Sequence, residues 1–113
     1  MHSDILQILF PAQRGVGIDL GNIEIKESGK YDRIELKPSD YDAEFILGFN
    51  NKNYDFLLVD INDIPPPRKK RFKYKSVPWN WLEKMAIFQT NDEIEMLEQI
   101  KPFLSHPEVF SEV

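Results

Sequence analysis

Apolar positions along the chain change period several times, and the changes divide it into elements. Over residues 3–10, Ile5, Leu6, Ile8 and Leu9 form a stripe at helical spacing, with Ser3 as its cap and Pro11 as its stop. Residues 13–17 lead into a stretch where the period shortens to two. Gly21-Asn22 reads as a two-residue turn, because glycine tolerates positive φ and asparagine tolerates it better than most residues. This turn pairs Leu20 with Ile23 and Asp19 with Glu24. Cross-strand partners share a face, and so do residues two apart on one strand. Ile18, Leu20, Ile23 and Ile25 therefore point to a core, and Asp19, Glu24 and Lys26 to the opposite side.

Ser28-Gly29-Lys30 marks a turn, and residues 31–37 alternate again with Ile34 and Leu36 on one side. Pro38 breaks this strand. Residues 39–50 are expected to form a helix. Ser39 caps it, Asp40 and Asp42 fall in the first turn where the dipole favours acids, and Tyr41, Phe45, Ile46 and Phe49 keep helical spacing. The alternative is a strand over 43–49 in a hairpin with 54–61, joined by 50–53; the clustered acids favour the helix. Phe56 to Val59 is a continuous apolar run, the mark of a strand buried on both faces. Pro65-Pro66-Pro67 cannot continue a ladder and is expected to be extended and exposed. Arg71 to Lys75 alternates cation with aromatic, as an edge strand with Phe72 and Tyr74 inward would. Pro78 opens a predicted helix over 79–89, with Trp79, Leu82, Met85 and Ala86 on one face. Of Trp79 and Trp81, one is expected in the core and one at the surface. Thr90 and Glu93 make a capping box for a last helix. Its stripe is Ile94, Leu97, Ile100, Lys101 and Leu104, and Pro102 ends or kinks it.

With 113 residues, 42% of them hydrophobic, the chain suffices for one domain with a buried core. That domain divides into a core over about 1–64, a basic Pro-rich segment over 65–77 and a helical C-terminal segment over 78–113. The absence of cysteine excludes a disulfide framework and a thiolate metal site. His2 and His106 lie near the termini and do not make a metal-ligand spacing. No apolar run approaches a membrane span, and the first residues lack a signal-peptide pattern, so a cytoplasmic protein with no membrane partner is expected.

The net charge of −5 hides a segregation. Arg68, Lys69, Lys70, Arg71, Lys73 and Lys75 fall within eight residues, and the other eight cations face 19 acids, a balance of −11. One reading of the basic stretch is a nucleic-acid contact, its cations meeting phosphates while Phe72 or Tyr74 stacks on bases. It also fits a short nuclear-import motif, or a solvated edge that prevents sheet-to-sheet aggregation. The glycines make no dinucleotide fingerprint and no phosphate-binding loop of the GxxxxGK[ST] kind. No histidine lies beside a serine nucleophile, so a hydrolase triad is unsupported.

Two carboxylates directly opposite each other repel, and a divalent cation between them turns that repulsion into a binding site. Asp19, Glu24 and Lys26 on one face resemble the PD-(D/E)xK nuclease superfamily, the restriction-endonuclease-like fold. There an Asp ends one strand and an acidic-x-Lys triplet lies on the next. The order of elements over about 15–63 resembles it too: a further strand, a helix and an apolar strand follow the triplet. The resemblance implies an α+β fold with a central mixed β-sheet, a tight N-terminal hairpin, flanking helices and a helical C-terminus. That central sheet carries the hairpin, the strand over 31–37 and the strand over 54–61. It implies a metal-dependent endonuclease acting on nucleic acid, with DNA as the expected substrate. Asp19 and Glu24 hold Mg²⁺ or Mn²⁺ with the Ile25 carbonyl, and Lys26 is the catalytic lysine. With that function, the nucleic-acid reading of the basic stretch makes the cations at 68–71, 73 and 75 the expected contacts. With one site per chain, double-strand cleavage calls for a homodimer. The same residues also fit a solvated hairpin in a non-catalytic acidic binding protein, such as an immunity protein, an inhibitor or a phage accessory factor.

Overall fold

In a computed structural model, the structure describes residues 21–28, 32–50, 52–66 and 75–105. The elements are β1 (Ile23–Glu27), β2 (Arg33–Leu36), a 3-10 turn at Pro38–Asp42, β3 (Phe45–Asn50) and β4 (Asp55–Asp60). A second 3-10 turn (Ile61–Asp63) leads on to β5 (Lys75–Pro78), α1 (Trp79–Met85), β6 (Phe88–Thr90), α2 (Glu93–Ile100) and a last 3-10 turn (Lys101–Phe103). The fold is α+β. Its central sheet has the order β1-β3-β4-β6, with β1 parallel to β3 and the other pairs antiparallel. A separate two-stranded sheet pairs β2 with β5.

Strands β3 and β4 hold the structure together. Side chains alternate across a strand, so a strand apolar at every position needs a cover on each side. Leu47, Phe49, Phe56 and Leu58 pack with Ile23 against Met96, Leu97, Ile100 and Leu104. On the opposite face, Ile46, Leu57 and Val59 pack against Ile34 and Leu36 of β2, Val77 of β5, and Trp79 and Leu82 of α1. The central sheet is thus a middle layer with α2 beneath and β2, β5 and α1 above. Trp79 is buried and Trp81 exposed, as expected for the pair, and Pro65 and Pro66 are exposed.

Residues 39–50 are not a helix. The 3-10 turn stops at Asp42, Ala43 is extended, and β3 forms a hairpin with β4. A helix exposes one side, whereas Ile46, Leu47 and Phe49 are all buried, on two opposite faces. Pairing on both edges of β3 decides the matter. The helix predicted over 79–89 ends at Met85, because the Ile87 amide donates to the Leu58 carbonyl at 2.9 Å and draws Phe88–Thr90 in as the fourth strand. The cap of α2 is Asp92, whose carboxylate accepts from the Ile94 amide at 2.9 Å; Thr90 instead accepts from the Asp92 amide. The strand at Arg33–Leu36 lies outside the central sheet, paired with β5. Residues 3–20, including the first arm of the predicted hairpin, and Phe72 and Tyr74 lie outside the described residues. Among the described residues, no helix is long and apolar enough to cross a membrane.

Gly21 does adopt the conformation that a turn there requires, with φ +70°. The next amide, of Asn22, donates to the Phe103 carbonyl at 3.1 Å, and the Asn22 carbonyl accepts from Glu44 and Phe45. The start of β1 is thereby tied both to the end of the chain's described part and to β3. A Cβ at Gly21 would stand 2.5 Å from the Phe103 carbonyl oxygen. Gly21→Ala therefore combines left-handed strain with a backbone clash. It is expected to cost at least about 1–2 kcal/mol, seen as a lower urea midpoint at unchanged m-value.

Candidate functional site

The alternation along β1 sorts its side chains as the sequence predicts. Ile23 and Ile25 turn toward the core between the sheet and α2. Glu24 and Lys26 turn to the other face, both half-buried. In the parallel register Glu24 lies beside Ile46 and Lys26 beside Gly48. Ile46 belongs to the upper core. A Cβ on Gly48 would come within 3.1 Å of the Trp79 ring, so the indole fills the space over that glycine. The face expected to be wet is thus the border of a second core, and Glu24 and Lys26 sit where that core thins out toward β1.

The chain passes over this border. Parallel strands cannot be joined by a tight hairpin and need a crossover; here it runs from β1 through β2 and the Pro38–Asp42 turn to β3. Pro38 opens that turn, and Asp40 closes it by accepting from the Lys37 amide at 2.7 Å. The same carboxylate oxygen, Oδ2, lies 2.7 Å from Lys26 Nζ, and the two side chains are 4% and 17% exposed. An ion pair this sheltered is screened far less than a surface pair.

Charge at the site is coupled. Burial raises the Glu24 pKa, and the negative charge of Asp40 raises it further; Lys26 and Lys37 act in the opposite direction. Burial, and then Asp40, likewise raise the Tyr41 phenol. Tyr41 donates to the Pro65 carbonyl at 3.2 Å, fastening the crossover turn to the Pro-rich segment.

The structure brings Glu24 and Lys26 together and adds Asp40. Asp19, Arg68, Lys69, Lys70, Arg71 and Lys73 lie outside the described residues. Lys75, half-buried, begins β5 opposite Leu36. Asp40 was legible only as a helix-start residue. Its spacing after Lys37 and Pro38 signals a local cap, but nothing local connects it to Lys26. Among the described residues, no group of three or more His, Cys, Asp and Glu side chains is placed to hold a metal ion. Mg²⁺ needs less, since it is usually held by one or two carboxylates plus water and substrate oxygens. Glu24, a hard oxygen donor whose charge is unfavourable when left alone, fits that requirement.

The raised Glu24 pKa has a consequence for stability. A carboxyl whose folded pKa lies above its unfolded value contributes stability at low pH, and that contribution is lost as pH rises through the folded value. Glu24→Gln is therefore expected to stabilise the protein at pH 7, within the about 0–1 kcal/mol of a partly solvated charge. The gain should vanish below the ordinary value of 4.5. Thermal melts of both proteins across that range check it.

Comparison with family models, with curated proteins and with solved structures returned no match to this chain.

Proposed function

We propose that this protein is a metal-dependent nuclease with a restriction-endonuclease-like core, hydrolysing phosphodiester bonds of nucleic acid, with DNA as the expected substrate. The observation that carries the reading is the convergence of Glu24 and Lys26 on one half-buried face, with the Asp40 carboxylate 2.7 Å from the lysine ammonium. Glu24, with Asp19 and the Ile25 carbonyl, would hold Mg²⁺ or Mn²⁺. The bound ion would supply charge stabilisation at the phosphate. Lys26 orients the attacking water and offers its ammonium to the developing negative charge, in surroundings that exclude part of the solvent. The run of cations from Arg68 to Lys75 supplies phosphate contacts that an acidic body otherwise lacks. With one site per chain, double-strand cuts would come from a homodimer.

One observation favours a second reading. A carboxylate 4% exposed, paired with a lysine 17% exposed, also serves as an internal staple between a crossover and a strand. On that reading the chain is a non-catalytic acidic binding protein, and Lys26 has no chemistry to perform.

Plasmid and single-strand cleavage with Mg²⁺ and Mn²⁺ separates the two. Wild type is expected to cleave. Lys26→Ala should lose at least about 10²-fold in kcat while still giving heat on Mn²⁺ titration. Glu24→Ala should lose both heat and cleavage. A wild type inert with both metals leaves the binding-protein reading standing.

The basic stretch has its own test in binding rather than cleavage. Replacing Arg71, Lys73 and Lys75 with Ala should flatten the salt dependence of duplex binding by about 0.9 in slope for each phosphate that is no longer neutralised. An unchanged slope assigns the stretch to a solvated edge.

A further inference from the structure

Lys26 carries its charge on a flexible stem, and an ammonium useful in chemistry has to be held in one place. The structure provides a holder. Asp40 Oδ2 accepts from the Lys37 amide at 2.7 Å, so the backbone of the Pro38–Asp42 turn fixes that oxygen independently of Lys26. Lys26 Nζ reaches the same oxygen at 2.7 Å. Of the two partners, the carboxylate is the more deeply buried and the more tightly anchored; the lysine adapts to it. On the neighbouring strand the register partner of Lys26 is Gly48, and the space above it is taken by the Trp79 ring. The lysine stem therefore runs beside a filled core on one side and meets a fixed carboxylate at its end.

We infer that Asp40 is a positioning residue for Lys26, setting where its ammonium stands beside Glu24. The inference rests on the nuclease reading for its catalytic consequence, but not for the positioning itself. An ammonium has three donor hydrogens. Asp40 Oδ2 takes one, and the other two stay available for an attacking water and a phosphate oxygen. Asp40 thus aims the lysine without occupying it. In this role its own contacts are the Lys26 ammonium and the Lys37 amide.

Asp40→Asn tests this. The amide keeps an acceptor for the Lys37 N–H, so the turn is expected to persist, but it offers Lys26 a neutral oxygen in place of a carboxylate. In wild type, the Lys26 side-chain ammonium is expected to give a resolved ¹H–¹⁵N signal, slowed in exchange by its hydrogen bond. In Asp40→Asn that signal should be lost, with backbone spectra otherwise preserved. Cleavage should fall in kcat by about 10²-fold with KM nearly unchanged, the pattern of an interaction used in the transition state. Asp40→Glu keeps the charge but moves it by a methylene, and serves if the Asn variant does not fold: kcat should fall with the fold and KM retained. An ammonium signal and a kcat equal to wild type in these variants overturn the inference. So does faster cleavage, which would make Asp40 a block on Lys26. Wild-type protein that cleaves nothing overturns the nuclease reading and the catalytic part of the inference, while the ammonium signals still decide whether Asp40 fixes Lys26.

Discussion

The antiparallel pairing of β3 with β4 sets two strands side by side whose side chains are apolar on both faces. Ile46, Leu57 and Val59 look one way, and Leu47, Phe49, Phe56 and Leu58 the other. Each fully buried side chain of this size contributes about 1.5–3 kcal/mol relative to exposure. Neither face can be left to solvent, and the other described elements are placed accordingly. Helix α2 and Leu104 cover one side; β2, β5 and α1 cover the other. Strands β1 and β6 extend the ladder at its two edges.

The site is a by-product of that demand. Because β1 runs parallel to β3, the chain must cross over the sheet between them, and the crossover is also what covers the upper face. Its apolar members, Ile34 and Leu36, are buried in that layer. Its polar turn lands at the margin, above β1, where Glu24 and Lys26 emerge. A buried carboxylate is costly without partners, and Asp40 has two, an amide and an ammonium. Such a pair often adds little net stability, because desolvation offsets the attraction. What it does provide is a fixed location for a charge, beside a Glu24 carboxyl whose pKa is raised by its own burial and then by Asp40.

The upper layer also carries unrelieved costs. Among the described residues the buried Trp79 Nε1 donor has no hydrogen-bond partner, and such a deficit is on the order of 1–3 kcal/mol. Asp32 sits at φ +56°, held by the Asn50 amide at 2.6 Å and by the Trp79 amide on its carbonyl. Asp tolerates that conformation better than most residues. These features cluster where β2, β5 and α1 meet, so packing over Gly48 and Ile46 outweighs them.

Period and composition by themselves determined several things. Two-residue alternation assigned Ile34 and Leu36 to a core, and Glu24 and Lys26 to one face of β1. Helical spacing assigned Trp79 and Leu82 to one side of α1, and Leu97 and Ile100 to one side of α2. The run at Phe56–Val59 announced a strand buried on both faces. Each of these assignments depends only on neighbours a few residues away. The stretch from Ser39 to Asn50 reads as a helix on those terms, because acids cluster at its start, although its apolar residues fit a helical stripe and a two-faced strand alike. Only the partners β1 and β4, and a cover on each side, selected the strand. In the same way, Phe88–Thr90 became a strand because the Leu58 carbonyl was there to receive an amide. Nothing in the local pattern joins Asp40 to Lys26. A parallel pairing made a crossover necessary, and the crossover's path over the sheet, a matter of tertiary packing alone, carried the carboxylate to the lysine.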